Sequence, residues 1–102
     1  MTAPPFKLRL ITEAQQQLSE LARDTEQQIR LKAVRKALGQ LEKFGPRYPA
    51  LQTHPFESQQ GPGGAKVFVA YAEQGTPAAY RILWCYGPAE GELTILWIGP
   101  HY

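Results

Sequence analysis

The chain has 102 residues, of which 43% are hydrophobic and 20% are charged, with a formal net charge of +2. This length suits one domain with one hydrophobic core, and no apolar run is long enough to cross a bilayer. The first residues lack the pattern of a secretory signal, and the single cysteine, Cys85, cannot form an internal disulfide. We therefore expect a single cytoplasmic domain over residues 1–102, without membrane insertion.

The N-terminal half predicts one strand followed by two helices. Phe6–Leu10 alternates apolar and charged residues, which is typical of a strand with one buried face. Apolar residues then recur at helical spacing over 12–23 and again from Thr25 to Phe44, where a Gly-Pro pair stops the second helix. Each helix starts at a threonine followed three residues later by a glutamine, the spacing of a capping box. Two helices with almost no linker predict an antiparallel helix hairpin.

Residues 45–65 show no periodicity and contain four prolines and four glycines. We interpret them as a long loop, of which the first half is anchored by apolar side chains and the second half is mobile. The tip, Gly61–Gly64, has two interpretations. Its amides could cradle a phosphate, or it could be an ordinary Gly/Pro turn, which is the commoner case.

The remaining residues predict three strands joined by short turns: Lys66–Ala72, Ala79–Tyr86 and Glu92–Ile98. The element order is therefore β-α-α-β-β-β. We predict an α+β fold, in which a curved antiparallel sheet of four strands includes Phe6–Leu10 and carries the helix hairpin on one face.

Arg81 is the one charged residue inside the strand Ala79–Tyr86. A guanidinium does not lose its charge, so this side chain needs water, a carboxylate or a phosphate. It either pairs with a glutamate and has a structural role, or it belongs to a site. Alternation divides the strand into a face packed on the helices and an open face, with Tyr80, Ile82, Trp84 and Tyr86 on the first and Arg81, Leu83 and Cys85 on the second.

The chemistry available is that of phosphodiester cleavage without a metal. We find no metal-ligand spacing, nucleophile elbow, P-loop or dinucleotide fingerprint, and we predict no cofactor. What remains is Arg81, Lys66, the histidines His54 and His101, and the phenol of Tyr102. A base, an acid and a guanidinium are the groups that let an RNA 2′-hydroxyl attack its own phosphate. The alternatives are a frayed chain end for 101–102 and a surface or backbone-bonded histidine at 54.

Three further side chains have interpretations that need no active site. Trp84 and Trp97 fit core or cross-strand packing better than stacking on nucleic-acid bases. Cys85 stands mid-strand without a nearby histidine in the sequence, so we predict a small buried hydrophobe and not a nucleophile.

The element order, the run LKAVRKAL, the phrase TPAAYRILWCYGP and the C-terminal PHY together resemble the RelE/ParE superfamily of toxins from toxin–antitoxin systems. The resemblance covers nearly the whole chain. It is nearest to the YoeB-like branch, whose members end in His-Tyr and carry an arginine in the middle strand of the meander. Those positions correspond to Arg81, His101 and Tyr102 here.

The resemblance implies a toxin that enters the ribosome and cleaves mRNA through the 2′-hydroxyl, without metal, leaving a cyclic phosphate. Arg81 would stabilise the charged phosphate, while His101 and Tyr102 would handle protons and orient the nucleotide. Glu57 matches the family's glutamate base only by its place in the loop. Substrate-binding roles fall to Lys66, His54 and Arg47.

The implied partners are an antitoxin, the ribosome and mRNA, and a homodimer is possible. The antitoxin would lay a helix or strand in an apolar groove and bring acidic groups to the basic second helix, whose cations are Arg30, Lys32, Arg35, Lys36 and Lys43. Two other functions fit the same fold. One is a ParE-like inhibitor that binds DNA gyrase, and the other is an inactive, toxin-like binding module.

Overall fold

A computed structural model describes residues 5–100, so His101 and Tyr102 lie outside the described residues. It confirms the α+β class and the helix hairpin. The elements are β1 (Lys7–Leu10), α1 (Thr12–Arg23), α2 (Gln28–Phe44), β2 (His54–Gln60), β3 (Lys66–Tyr71), β4 (Arg81–Tyr86) and β5 (Glu92–Gly99).

The sheet has five strands in the order β1-β5-β4-β3-β2, one more than predicted. The additional strand, β2, lies inside the predicted loop and pairs only with β3, with a shift in register between Pro55 and Gln60. Its residues are almost all exposed, so it carries no alternating pattern. The prediction of a fully antiparallel sheet is also wrong, because β1 pairs with β5 in parallel, Lys7 opposite Glu92.

The two helices form because each buries one apolar stripe. Ala14 and Leu21 of α1 are buried, and α2 buries its own row at helical spacing: Leu31, Val34, Ala37, Leu38 and Leu41. The predicted capping boxes are not formed. Gln15 donates to the Leu10 carbonyl (2.8 Å), and between the helices the Asp24 carboxylate accepts from the Glu26 amide (3.0 Å). Among the described residues, neither helix is long and apolar enough to cross a membrane.

The main core lies between the helices and one face of the sheet. Ile82 and Trp84 of β4 are fully buried there, and Tyr80 packs against them, which confirms the predicted helix-facing side. The Gln17 side chain of α1 also accepts a hydrogen bond from the Ile98 amide at 2.7 Å. That bond fixes α1 to β5 and thus the helix hairpin to the sheet.

We expect Leu41→Ala to lower the free energy of unfolding by about 2–5 kcal/mol, because Leu41 is fully buried at the helix–sheet interface and its removal leaves a cavity. Ile29→Ala is the matched control on the same helix, since Ile29 is 87% exposed, and it should change stability by less than about 0.5 kcal/mol. Urea unfolding of both variants tests this. Equal losses would place the core elsewhere.

The opposite face of the sheet is not open, as we had expected, because it buries a second apolar cluster. Val67, Val69 and Leu83 form its centre. Leu83 pairs with Trp97 but Trp84 pairs with Ile95, so Leu96 is an extra residue in β5. This bulge turns both Leu96 and Trp97 toward the second cluster.

Cys85 is buried at 3% exposure, which confirms the prediction of a small buried hydrophobe. Burial raises the pKa of its thiol, because a thiolate would lose its hydration there. The thiol is therefore neutral at pH 7.

Candidate active site on the sheet face away from the helices

Arg81 begins β4 and lies between Tyr71 of β3 and Gly99 of β5 in the strand register. Its guanidinium carbon is 5.3 Å from the centre of the Tyr71 ring. The Nε atom is buried and has no hydrogen-bond partner within the described residues, and Arg81 forms no ion pair there. The structural alternative, a pair with a glutamate, is not found between residues 5 and 100. No carboxylate within residues 5–100 therefore neutralises this cation.

Tyr71 on β3 and His54 on β2 form a row with Arg81 across the sheet. The ring centres of His54 and Tyr71 are 5.6 Å apart. His54 Nδ1 lies 3.1 Å from the Gln52 carbonyl oxygen, which can only accept, so we assign the proton to Nδ1. In the neutral ring Nε2 is then an acceptor. Three side chains from neighbouring strands thus bring a cation, a phenol and an imidazole together.

A cavity of about 340 Å³ opens beside Arg81, between Gln52 and the loop that joins β3 to β4. Glu73 is part of its wall, but its carboxylate is already bonded. Arg30 Nε donates to Glu73 Oε1 at 2.8 Å, and the Tyr80 amide donates to the same oxygen at 3.0 Å. The Arg30 guanidinium also lies 4.5 Å from the Tyr80 ring centre. Glu73 is thus paired with Arg30 and forms no ion pair with Arg81.

Gly99, the partner of Arg81 on β5, lies directly under an indole. A Cβ atom built on Gly99 would come within 2.5 Å of the Trp97 ring. Real Cβ atoms do not approach an aromatic carbon that closely. Because the indole ring is rigid, one end of it cannot move without the rest. Glycine is therefore required beside Arg81 by the close approach of Trp97.

We expect Gly99→Ala to lower the free energy of unfolding by about 1–3 kcal/mol, the usual cost of overpacking. The Trp97 ring must move, so its fluorescence spectrum should change as well. Gly75→Ala is a useful control. Nothing lies within 4 Å of a Cβ atom built on Gly75, so this variant causes no steric clash and tests only the backbone strain at φ 91°. A Gly99→Ala protein with unchanged stability and fluorescence would contradict the close contact.

Of the other predicted site residues that the structure describes, Lys66 and Arg47 do not join this row. Glu57 is exposed on β2, in the stretch between Pro55 and Gln60 where the register with β3 shifts. The Lys66 ammonium lies 5.7 Å from the Phe68 ring centre, on the helix side. Arg47 is exposed beside a separate cavity that Phe68 also lines.

Sequence reasoning missed Tyr71, although a signal for it exists. Val67 and Val69 alternate along β3 and place Tyr71 on the Arg81 face. Residues 5–100 contain no group of three or more histidine, cysteine or acidic side chains that could hold a metal ion. The described side chains of the site thus offer positive charge, a hydroxyl and a ring nitrogen.

Neither a protein-family model nor a curated protein matches the sequence. The arrangement of helices and sheet, however, is the RelE/YoeB-like fold that the sequence predicted. The structure of a YoeB dimer from Staphylococcus aureus matches with a TM-score of 0.67 and 8% identity, over 96% of this chain and 99% of that chain. The archaeal RelE–RelB complex from Pyrococcus horikoshii OT3 matches with a TM-score of 0.64 and 12% identity, over 94% of each chain. At these identities the likeness is one of fold.

Proposed function

We propose that this protein is the toxin of a type II toxin–antitoxin pair and acts as a metal-independent, ribosome-dependent mRNA endonuclease. The observation that carries the proposal is Arg81, a partly exposed cation that forms no ion pair within residues 5–100, in a row with Tyr71 and His54 beside a cavity. A permanent charge kept unpaired costs stability, and such a cost is typical of a site that binds an anion. The RelE/YoeB-like fold adds support by analogy.

The reaction proceeds by attack of the RNA 2′-oxygen on the adjacent phosphorus, with departure of the 5′-oxygen of the next nucleotide. One group takes the proton from the 2′-hydroxyl, another gives a proton to the leaving oxygen, and the product is a 2′,3′-cyclic phosphate. Arg81 stabilises the additional negative charge on the phosphoryl oxygens in the transition state.

Proton transfer is assigned to His101 and Tyr102, which follow Gly99, the strand partner of Arg81, by two and three residues in the sequence. Glu57 is exposed on the edge strand β2 and stays a candidate base. Tyr71 and His54 orient the nucleotide at the Arg81 cavity. Lys66 and Arg47 bind more distant parts of the RNA.

The proposed partners are a cytoplasmic antitoxin, the ribosome and its mRNA. Helix α2 presents Lys32, Arg35 and Lys36 to solvent, which suits an acidic segment of an antitoxin. Arg30 is not part of that surface, because it pairs with Glu73. The RelE–RelB complex and the YoeB dimer make an antitoxin complex and a homodimer reasonable assemblies for this fold.

The decisive experiment is cleavage of mRNA on programmed ribosomes by the untagged full chain, with mapping of the new RNA ends. We expect cuts at the codon in the ribosomal A site and a 2′,3′-cyclic phosphate at the upstream product. A gyrase supercoiling assay with the same protein is the parallel arm. Inhibited supercoiling without RNA cleavage would assign a gyrase inhibitor, and no effect in either assay would assign a binding module.

A further inference from the structure

His54 lies on the same face of the sheet as Arg81, two strands away. It stands opposite Val69 in the register between β2 and β3, and Val69 belongs to the second cluster on that face. Residues directly opposite each other in a sheet share a face. The Tyr71 ring, on the strand between them, is centred 5.6 Å from the His54 ring centre and 5.3 Å from the Arg81 guanidinium carbon. An imidazole and a guanidinium thus both lie near one phenol ring.

A hydrogen bond to Gln52 decides how the His54 ring can act. The Gln52 carbonyl oxygen lies 3.1 Å from Nδ1 and can only accept, so Nδ1 carries the proton of the neutral ring. Nε2 is then unprotonated and can take a proton but cannot give one. The side chain is exposed on the edge strand, where a ligand can reach the ring. The neutral imidazole is therefore oriented as a base.

Gln52 connects this imidazole with the cavity beside Arg81. Within residues 5–100 it is the one non-glycine residue with a positive φ, 48°. Its amide donates to the Pro49 carbonyl at 3.1 Å, its own carbonyl holds the His54 ring, and it lines the cavity beside Arg81. A left-handed backbone at such a residue costs free energy, and residues of this kind are concentrated at functional sites. The same residue therefore orients the imidazole and borders the cavity.

The order of the strands gives Arg81 two flanks. Attack on phosphorus is in line with the leaving oxygen, so a base and an acid approach from opposite sides. In the sheet, β3 and β2 with His54 lie on one side of β4, and β5 lies on the other. Gly99 on β5, the strand partner of Arg81, precedes His101 by two residues in the sequence. His54 thus suits the attacking oxygen and the chain end suits the leaving oxygen.

We propose that His54 is the general base of the cleavage reaction. Nε2 takes the proton of the RNA 2′-hydroxyl while the 2′-oxygen bonds to phosphorus and the bond from phosphorus to the 5′-oxygen breaks. The leaving oxygen receives its proton from the chain end. The imidazolium, whose Nδ1 still donates to the Gln52 carbonyl, then returns its proton to water. The inference rests on the proposed function and selects the base among its candidates.

Glu57 is the rival candidate on the same strand. A base acts efficiently when a third group orients it. His54 has such a group in the Gln52 carbonyl, whereas Glu57 lies where the register of β2 with β3 shifts and forms no ion pair within residues 5–100. The described contacts therefore favour the imidazole.

His54→Gln and His54→Phe test the base. Glutamine keeps a hydrogen-bond acceptor, phenylalanine keeps a ring beside Tyr71, and neither can take a proton at neutral pH. We expect both to lower the single-turnover cleavage rate on programmed ribosomes, at saturating protein, by about a hundred- to ten-thousandfold. The protein concentration that gives half of this rate should change less than about threefold, because binding is retained. Gln60→Ala, an exposed change on the same strand, is the matched control and should keep the rate within about twofold.

An mRNA with sulfur in place of the leaving 5′-oxygen separates the base from the acid. A thiolate leaves without being protonated, so loss of the acid no longer slows cleavage, whereas loss of the base still does. On this RNA we expect the 1–100 protein to recover the parent rate and His54→Gln to stay about a hundredfold slower or more. Recovery by His54→Gln would make His54 the acid and overturn the assignment. A 1–100 protein that stays slow would place the base at the chain end and overturn it as well.

Three further results would overturn the assignment. Either His54 variant could cleave as the parent does, the half-saturating concentration alone could change, or Glu57→Gln could show the loss in place of His54→Gln. Melting temperatures of the variants check that each is folded, and His54 is exposed, so they should hardly change. A parent protein that cleaves no mRNA on ribosomes rejects the proposed function itself. Parent cleavage that persists in His54→Gln rejects only the base.

Discussion

Arg81→Ala should reduce mRNA cleavage by about a hundred- to a thousandfold, the usual effect of removing one donor to a transition-state charge. The fold should survive. Arg81 makes no ion pair among residues 5–100 and its Nε is buried without a partner, so its removal also relieves an uncompensated charge. The free energy of unfolding should stay constant or rise, as is common when a functional residue is removed.

Arg9→Ala is the matched control for this variant. Arg9 is also a strand arginine, but its side chain is 55% exposed and lies 3.7 Å from Glu92. Its removal should leave cleavage unchanged and alter stability by less than about 1 kcal/mol. Arg81→Lys adds a second comparison, since it keeps the charge but loses the planar fork and should recover only part of the rate. Full growth inhibition by a folded Arg81→Ala protein would make Arg81 a structural cation.

Removal of His101 and Tyr102 should lower cleavage by about a hundred- to ten-thousandfold, the range for a positioned acid or base. Pro100, the last described residue, is only partly buried, so we expect a change beyond it to affect the core little. The melting temperature should therefore change far less than the activity. Untagged full-length and 1–100 proteins on programmed ribosomes give the measurement.

His101→Ala and Tyr102→Phe divide this effect between the two residues. A loss confined to His101→Ala would assign proton transfer to the imidazole. Equal activity of the 1–100 and full-length proteins would exclude both side chains from the chemistry. Cleavage should persist in EDTA, because the roles assigned to Arg81, His101 and Tyr102 need no metal.

The sequence was sufficient to predict the helices and the three-strand meander, and also the packing of Ile82 and Trp84 on the helix side. Each of these features depends on a local apolar period. Strand β2 could not. It is an exposed edge strand whose pairing with β3 is made by the backbone and leaves no pattern in its side chains. The parallel pairing of β1 with β5 is likewise a matter of topology and is not encoded in either strand's pattern.

The candidate site was predictable only in part. A charge inside an apolar strand singled out Arg81 from the sequence. Its contact with Tyr71, however, depends on the register between β3 and β4, which is set by the loop between them. Glu57 was chosen for a position in a supposed loop, but the structure has an exposed edge strand there.

The pairing of β1 with β5 also governs how the chain folds as it is made. Lys7 and its neighbours are synthesised long before their partners, which begin at Glu92. Strand β5 also separates β1 from β4, so the sheet cannot close until the final strand is available. Contacts this distant in sequence form late and slowly. A nascent chain therefore completes its sheet, and with it the surroundings of Arg81, only after β5 has left the ribosome.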